Sequence, residues 1–239
     1  MTALLTNDEQ ALSFGLRRIN NAFPGFRTGD FAVLYGHPFC KTLTFMLLVR
    51  CQLPRGDGGF NSSAIYVDGG NAFNPYAISA LAQQYDLDPR STLERIFVSR
   101  AFTAYQLSAL IFETLENALK QYRSKLVLIS DITALFLDRD VPTKEAIDIF
   151  NKAMIYLSEL VTRRDVIIVA SCFPHGRLKR RFLHESALFG RASAVIKVKE
   201  FKGRLQFTLE SHPLLKPFTI DILPNAVTLE KFVEALRVG

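Results

Sequence analysis

FAVLYGHPFCKTLTFMLLV, residues 31–49, is an apolar run, a short turn ending in Lys41-Thr42, and a second apolar run. The first run reads as a buried strand and the second as a buried helix. Strand, turn and helix in that order, with Lys-Thr opening the helix, is the layout of a phosphate-binding loop, G-x-x-x-x-G-K-[ST]. In a working loop the glycines let backbone N–H groups wrap the phosphates, the lysine reaches them, and the hydroxyl holds magnesium. Lys41 and Thr42 stand in the last two places, but Cys40 replaces the glycine before the lysine. Counting back from Lys41 puts the first glycine place on Tyr35, so Gly36 fills it only if the loop is one residue short. A Cβ at position 40 is costly if that residue needs positive φ or close phosphate approach. The stretch marks the place of a nucleotide and leaves open whether one binds.

Outward from this turn, strand and helix signals alternate. Strands are predicted at 31–35, 64–68, 96–99, 125–130 and 165–171, and helices at 41–51, 75–85 and 105–122. A long helix opens at Pro142-Thr143, with Ile147, Phe150, Met154, Leu157 and Val161 on one stripe. Residues 173–190 read as a basic loop or short helix, and 193–200 and 204–210 as a hairpin turning at Phe201-Lys202-Gly203. The pattern predicts an α/β fold whose mostly parallel sheet ends in an antiparallel hairpin. Without repeats or long linkers, 1–239 is expected to be one domain, with 1–12 as a lead-in.

Composition sets the remaining bounds. No apolar run approaches the length of a membrane span, and the N-terminus lacks a basic segment followed by an apolar one. A cytoplasmic protein with no membrane partner is expected. Cys40, Cys51 and Cys172 are scattered, as are the histidines, so reduced thiols and no metal site are expected. The net charge of +6 is compatible with an anionic partner. Its excess is concentrated between His175 and Arg204, which hold Arg177, Lys179, Arg180, Arg181, Arg191, Lys197, Lys199, Lys202 and Arg204 against Glu185 and Glu200.

Three further segments complete a pattern: YVDGGNAFNP (66–75), RAFTAYQ (100–106) and LVLISDITALF (126–136). In this order after the loop-like turn, they resemble the ATPase core of the RecA/RadA recombinase superfamily, nearest to archaeal RadA, its paralogues and KaiC-type domains. The resemblance runs from about Ser13 to Ile220 and implies a RecA-like P-loop NTPase fold. It also implies a core without the helix-hairpin-helix domain that precedes it in RadA.

Carried over by residue, the resemblance implies a degenerate ATPase site. In the family turn Asp-Thr-Glu-Gly-Thr-Phe-x-Pro the glutamate prepares the attacking water; Asp68, Phe73 and Pro75 match, but Gly70 takes the glutamate's place. Glycine cannot act as a general base. The family aspartate that helps hold magnesium at the end of the next strand corresponds to Ser130, with Asp131 one residue later. Successive strand residues face opposite ways, so Asp131 is expected to be misdirected, with a turn or cap role, unless the register slips. Gly36, Lys41, Thr42 and Asp131 are therefore the residues of a vestigial or weak nucleotide site. No catalytic residue is assigned, and no cofactor beyond weakly held ATP and magnesium.

The resemblance further places a DNA-binding loop at FPHGRLKRRFLH (173–184). Arg177, Lys179, Arg180 and Arg181 are candidate phosphate contacts and Phe182 a candidate base contact, single-stranded DNA being the expected form. The alternative is a solvated basic helix whose Leu178, Phe182 and Leu183 pack on the sheet. Residues 138–143, at the family's other DNA loop, carry Asp138 and Asp140 against Arg139 alone and make a poor phosphate contact. His37 and His212 are expected to be turn residues. The reading is a RadA-like paralogue, accessory to DNA recombination and repair, binding DNA, a recombinase or another RecA-like subunit. A slow P-loop ATPase and a KaiC-like protein-binding module without DNA remain the alternatives.

Overall fold

The computed structural model describes residues 10–174 and 179–222, and of Lys179 and Arg180 the backbone only. Eight strands form one sheet in the order β3-β2-β4-β5-β1-β6-β7-β8. They are β1 (Phe31–Gly36), β2 (Ala64–Asp68), β3 (Ile96–Arg100), β4 (Leu126–Ser130), β5 (Ile167–Cys172), β6 (Ala194–Phe201), β7 (Arg204–Ser211) and β8 (Phe218–Ile222). β3, β2, β4, β5, β1 and β6 pair in parallel, and β7 and β8 add on antiparallel. The expected RecA-like α/β architecture is present. The C-terminal hairpin gains a third strand, β8, because His212 folds the Pro213–Pro217 connection back on itself. Its Nδ1 accepts from the N–H groups of Leu214 and Leu215, both at 3.1 Å.

Eight α-helices lie among the described residues: α1 (Arg17–Asn20), α2 (Phe39–Arg50), α3 (Pro75–Gln84), α4 (Pro89–Glu94), α5 (Ala104–Ala109), α6 (Leu115–Tyr122), α7 (Thr143–Arg164) and α8 (Lys179–Arg191). Sequence periodicity missed α4, six residues long and capped by Asp88 on the N–H of Ser91. The helix expected over 105–122 contains a π-helical turn at Leu110–Thr114. α8 fills most of the stretch read as a loop or short helix. None of the described helices is long and apolar enough to cross a membrane.

Strand alternation divides the core into two layers. Ala32, Leu34, Tyr66, Leu128 and Val169 face α2 and α3, together with Phe14, Phe23 and Phe26 from the N-terminal segment. Phe31, Val33, Ile65, Val127, Ile129 and Ile168 face α5, α7 and Leu188 of α8. Parallel pairing brings the C-terminal ends of β1, β2, β4 and β5 to one edge of the sheet. The segments leaving that edge meet where α/β sheets hold their ligands.

Candidate functional site

β1 ends at Gly36 with φ +103°. A Cβ there would lie 2.4 Å from the Val198 carbonyl oxygen, so the close crossing of β1 and β6 requires glycine. The next backbone groups turn inward. His37 N donates to Val198 O at 2.8 Å, Phe39 N to His37 Nδ1 at 3.1 Å, Cys40 N to His37 O at 3.0 Å and Lys41 N to Pro38 O at 2.9 Å. Pro38 has no N–H. Every backbone donor from 37 to 41 is thus engaged within the chain, and α2 begins at Phe39, two residues earlier than its sequence suggests. In this conformation the turn offers no free amide cradle to a phosphate. Because His37 Nδ1 accepts, its imidazole is neutral, and burial lowers its pKa in the same sense despite opposition from Glu200.

Cys40 lies in the first turn of α2, so the positive-φ strain weighed from the sequence does not arise. Its thiol is buried, donates to Tyr35 O at 3.4 Å, and is pushed up to about 12 by burial. Lys41 is half-buried with Nζ 5.7 Å from the Phe45 ring; burial lowers its pKa and Asp68 partly offsets this. Thr42 is buried on the same helix. Cys40→Gly is expected to restore the glycine before Lys41 without restoring nucleotide binding, because the amides keep their acceptors. It should cost about 1–3 kcal/mol through the cavity and the helical glycine, seen as a lower urea midpoint. ATP-dependent stabilisation of this variant would refute that account of the turn.

At the end of β2, Asp68 is fully buried. Its Oδ1 accepts from Ala72 N and Ser130 Oγ, both at 2.8 Å; its Oδ2 accepts from Phe73 N at 3.2 Å and from Arg100 Nε and Nη2, both at 3.1 Å. Ser130 Oγ in turn accepts from Gly70 N at 3.2 Å. The sequence gives no sign of this role for Arg100, because Asp68 and Arg100 become direct partners only through the register of β2 on β3.

Asp131 departs from the expected alternation. β4 stops at Ser130 and Asp131 takes φ +47°, which redirects its side chain. Its N–H donates to Ser171 Oγ at 3.1 Å and its Oδ1 accepts from Phe173 N at 3.4 Å, which is a turn role. The side chain also lines an open cavity of about 340 Å³ with Gly36, Pro38, Lys41, Gly70 and Phe173. A Cβ added to Gly70 would fall 2.8 Å from Asp131 Cβ. A side chain at 70 and the observed Asp131 conformation therefore exclude each other, and the carboxylate beside the cavity comes from 131. Among the described residues the cavity lining combines one ammonium and one carboxylate; its size is at the low end for small-molecule sites, roughly 300–1,000 Å³.

The basic segment leaves β5 on the same edge. Arg177 lies outside the described residues, as do the side chains of Lys179 and Arg180. Arg181 Nε pairs with Glu185 at 2.6 Å. Phe182 is 72% exposed and Leu183 50%, whereas His184 and Leu188 are the buried positions of α8. The packing alternative thus does not hold for Phe182 and Leu183, while Leu178 lies outside the described residues; the helix is rotated so that its i, i+4 pair faces the core. Cys40, Cys51 and Cys172 are free and buried, with pKa values raised by burial. Native protein at pH 8 is expected to leave all three unlabelled by a thiol reagent that modifies them in guanidinium. A raised folded pKa stabilises fully below the unfolded value. The contribution from Cys40 is therefore lost as pH rises from 9.0 towards about 12.

A family model described as Rad51 matches residues 11–169. Among curated proteins, the chain is 32% identical over 114 residues to a "DNA repair protein RAD51 homolog" of Solanum lycopersicum, covering 47% of this chain and 33% of that protein. It is 30% identical over 132 residues to the "DNA repair protein Rad51 homolog" of Drosophila melanogaster, covering 54% and 39%. It is 29% identical over 132 residues to "DNA repair protein RAD51 homolog B" of Zea mays, covering 52% and 37%. The matches thus span less than half of the length of these relatives.

Proposed function

The chain belongs to the Rad51 family, and from that premise we propose that it is an accessory DNA-binding member acting in DNA recombination and repair, with a degenerate ATPase site. The observation that carries the reading is the turn at 37–41, whose backbone donors are all engaged within the chain. Phosphoryl transfer needs positioned phosphates, metal and water together. Cys40, Gly70 and Ser130 stand where the family places a phosphate-loop glycine, the water-activating glutamate and a magnesium carboxylate. Exposed Phe182 beside Lys179, Arg180 and Arg181 supports single-stranded DNA as the ligand of the basic segment. One RecA-like unit of this kind could pair with a recombinase or another RecA-like subunit, and the free thiols support a reducing compartment.

Titration with labelled single- and double-stranded oligonucleotides at low and moderate salt, with and without Mg-ATP, tests the reading. Salt-sensitive binding that ignores ATP is expected. The double substitution Arg180→Glu/Arg181→Glu should lower the log–log salt slope by roughly 0.7 per lost single-strand phosphate contact. Glu185 already holds Arg181, which reduces what that residue contributes. Absence of DNA binding would instead favour the protein-binding module.

One observation favours a second reading, a slow ATPase: Asp131 and Lys41 line the same cavity. It requires the 37–41 turn to open. Mg-ATP should then raise the melting temperature, and Lys41→Ala should abolish that rise.

A further inference from the structure

The β6–β7 hairpin overruns the edge of the sheet on which the cavity lies. Gly36, the last residue of β1, pairs with Val198, while β6 continues to Phe201 and turns through Lys202 and Gly203, both at positive φ. Alternation sends Ile196 and Val198 into the core and places Lys197, Lys199 and Phe201 on the opposite face, about 6.8 Å apart in succession. Phe201 is 51% exposed at the tip. The ammonium groups of Lys199 and Lys202 lie 5.7 Å and 5.4 Å from its ring centroid.

The acids nearby are accounted for. Glu210 pairs with Lys197 and accepts from Tyr35 Oη, and Asp221 pairs with Arg204. Glu200 is exposed on the tip and alternates to the other face from Lys199 and Phe201. Among the described residues no carboxylate lies within ion-pair distance of Lys199 or Lys202, and the contact that each ammonium makes there is with the Phe201 ring. The surface is also continuous with the basic helix. The Tyr35 ring lies 4.7 Å from Phe189 of α8 on one side and 5.5 Å from Lys197 Nζ on the other.

An exposed ring with flexible cations on its rim has the chemistry of a stacking platform for an unpaired base, each lysine stem being free to swing from the ring to a phosphate. Duplex DNA keeps its bases stacked inside and would use only the charges. We propose that the tip of the β6–β7 hairpin is a single-stranded nucleic-acid contact distinct from the 177–182 segment, with one base stacked on Phe201 and the flanking phosphates neutralised by Lys199 and Lys202. The proposal rests on the reading of the chain as DNA-binding.

The test is fluorescence anisotropy of the full chain with a labelled oligo-dT and with a duplex of equal length, over a salt series. Phe201→Ala should weaken oligo-dT binding about tenfold, leave the salt slope unchanged and spare the duplex, while Phe201→Trp retains affinity. Lys199→Ala/Lys202→Ala should lower the single-strand slope by about 1.4. These exposed positions should leave the melting temperature within about 2 °C of the parent, which separates lost contact from lost fold. Wild-type binding that the variants leave intact overturns the hairpin contact and spares the DNA reading. No wild-type binding at any salt overturns both. Phe201-dependent binding to phosphatidylserine vesicles with no effect on oligo-dT also overturns the proposal, in favour of a lipid surface.

Discussion

Replacing Asp68 with alanine is expected to destabilise the protein by about 3 kcal/mol, lowering the melting temperature by about 6–12 °C. The carboxylate is fully buried and accepts from two backbone N–H groups, the Ser130 hydroxyl and the Arg100 guanidinium. Truncation leaves the amides of Ala72 and Phe73 without their acceptor and frees the end of β3. The figure sits at the low end for a broken buried pair because the Arg100 side chain is 38% exposed and can recover water. Asp68→Asn should cost less, since one oxygen can still serve the backbone donors. A double-mutant cycle with Ser130→Ala should show coupling, because the two side chains share a hydrogen bond. A melting shift under about 2 °C for Asp68→Ala would mean that the turn after β2 is held by something other than this carboxylate.

Gly36→Ala is expected to be about as damaging, at about 3 kcal/mol. Two costs combine there: a backbone at φ +103°, and a Cβ placed 2.4 Å from the Val198 carbonyl oxygen. Relief requires β6 to retreat, which loosens the His37 N–H bond to that same carbonyl. Gly29 separates the two costs. It has φ +93° and nothing within 4 Å of an added Cβ, so Gly29→Ala should carry the conformational cost alone, about 1 kcal/mol. Chemical denaturation of the two variants with the wild type decides the matter. Equal losses would contradict the close approach of β1 and β6.

Much of the architecture was legible in residue order. Largely apolar runs such as KLVLIS over 125–130 and DVIIVAS over 165–171 mark strands covered on both faces; β4 at Leu126–Ser130 and β5 at Ile167–Cys172 are buried throughout. The third antiparallel strand was less visible, because FTIDI over 218–222 is short and half-exposed at the edge of the sheet. Short α4 lacked the length that periodicity needs, although its Asp88-Pro89 start carried a capping signal.

The candidate site was legible in part, and the reason lies in the range of the forces involved. Local order shows that residue 70 has no side chain, that a cysteine precedes Lys41-Thr42, and that cations crowd residues 177–181. The presence or lack of a side chain at a position can be read without coordinates. The direction of a group cannot. Asp131 enters the cavity margin through a single positive φ, supported by the Ser171 hydroxyl from a neighbouring strand. The donors of the 37–41 turn are engaged partly because Val198, far along the chain, offers a carbonyl within β6. Phe182 faces solvent because His184 and Leu188 occupy the buried side of α8. Residue types and their spacing thus established which fold the chain adopts and which side-chain types stand at the candidate site. The aim of the groups that remain came from backbone dihedrals and from partners distant in sequence, which short-range order does not specify.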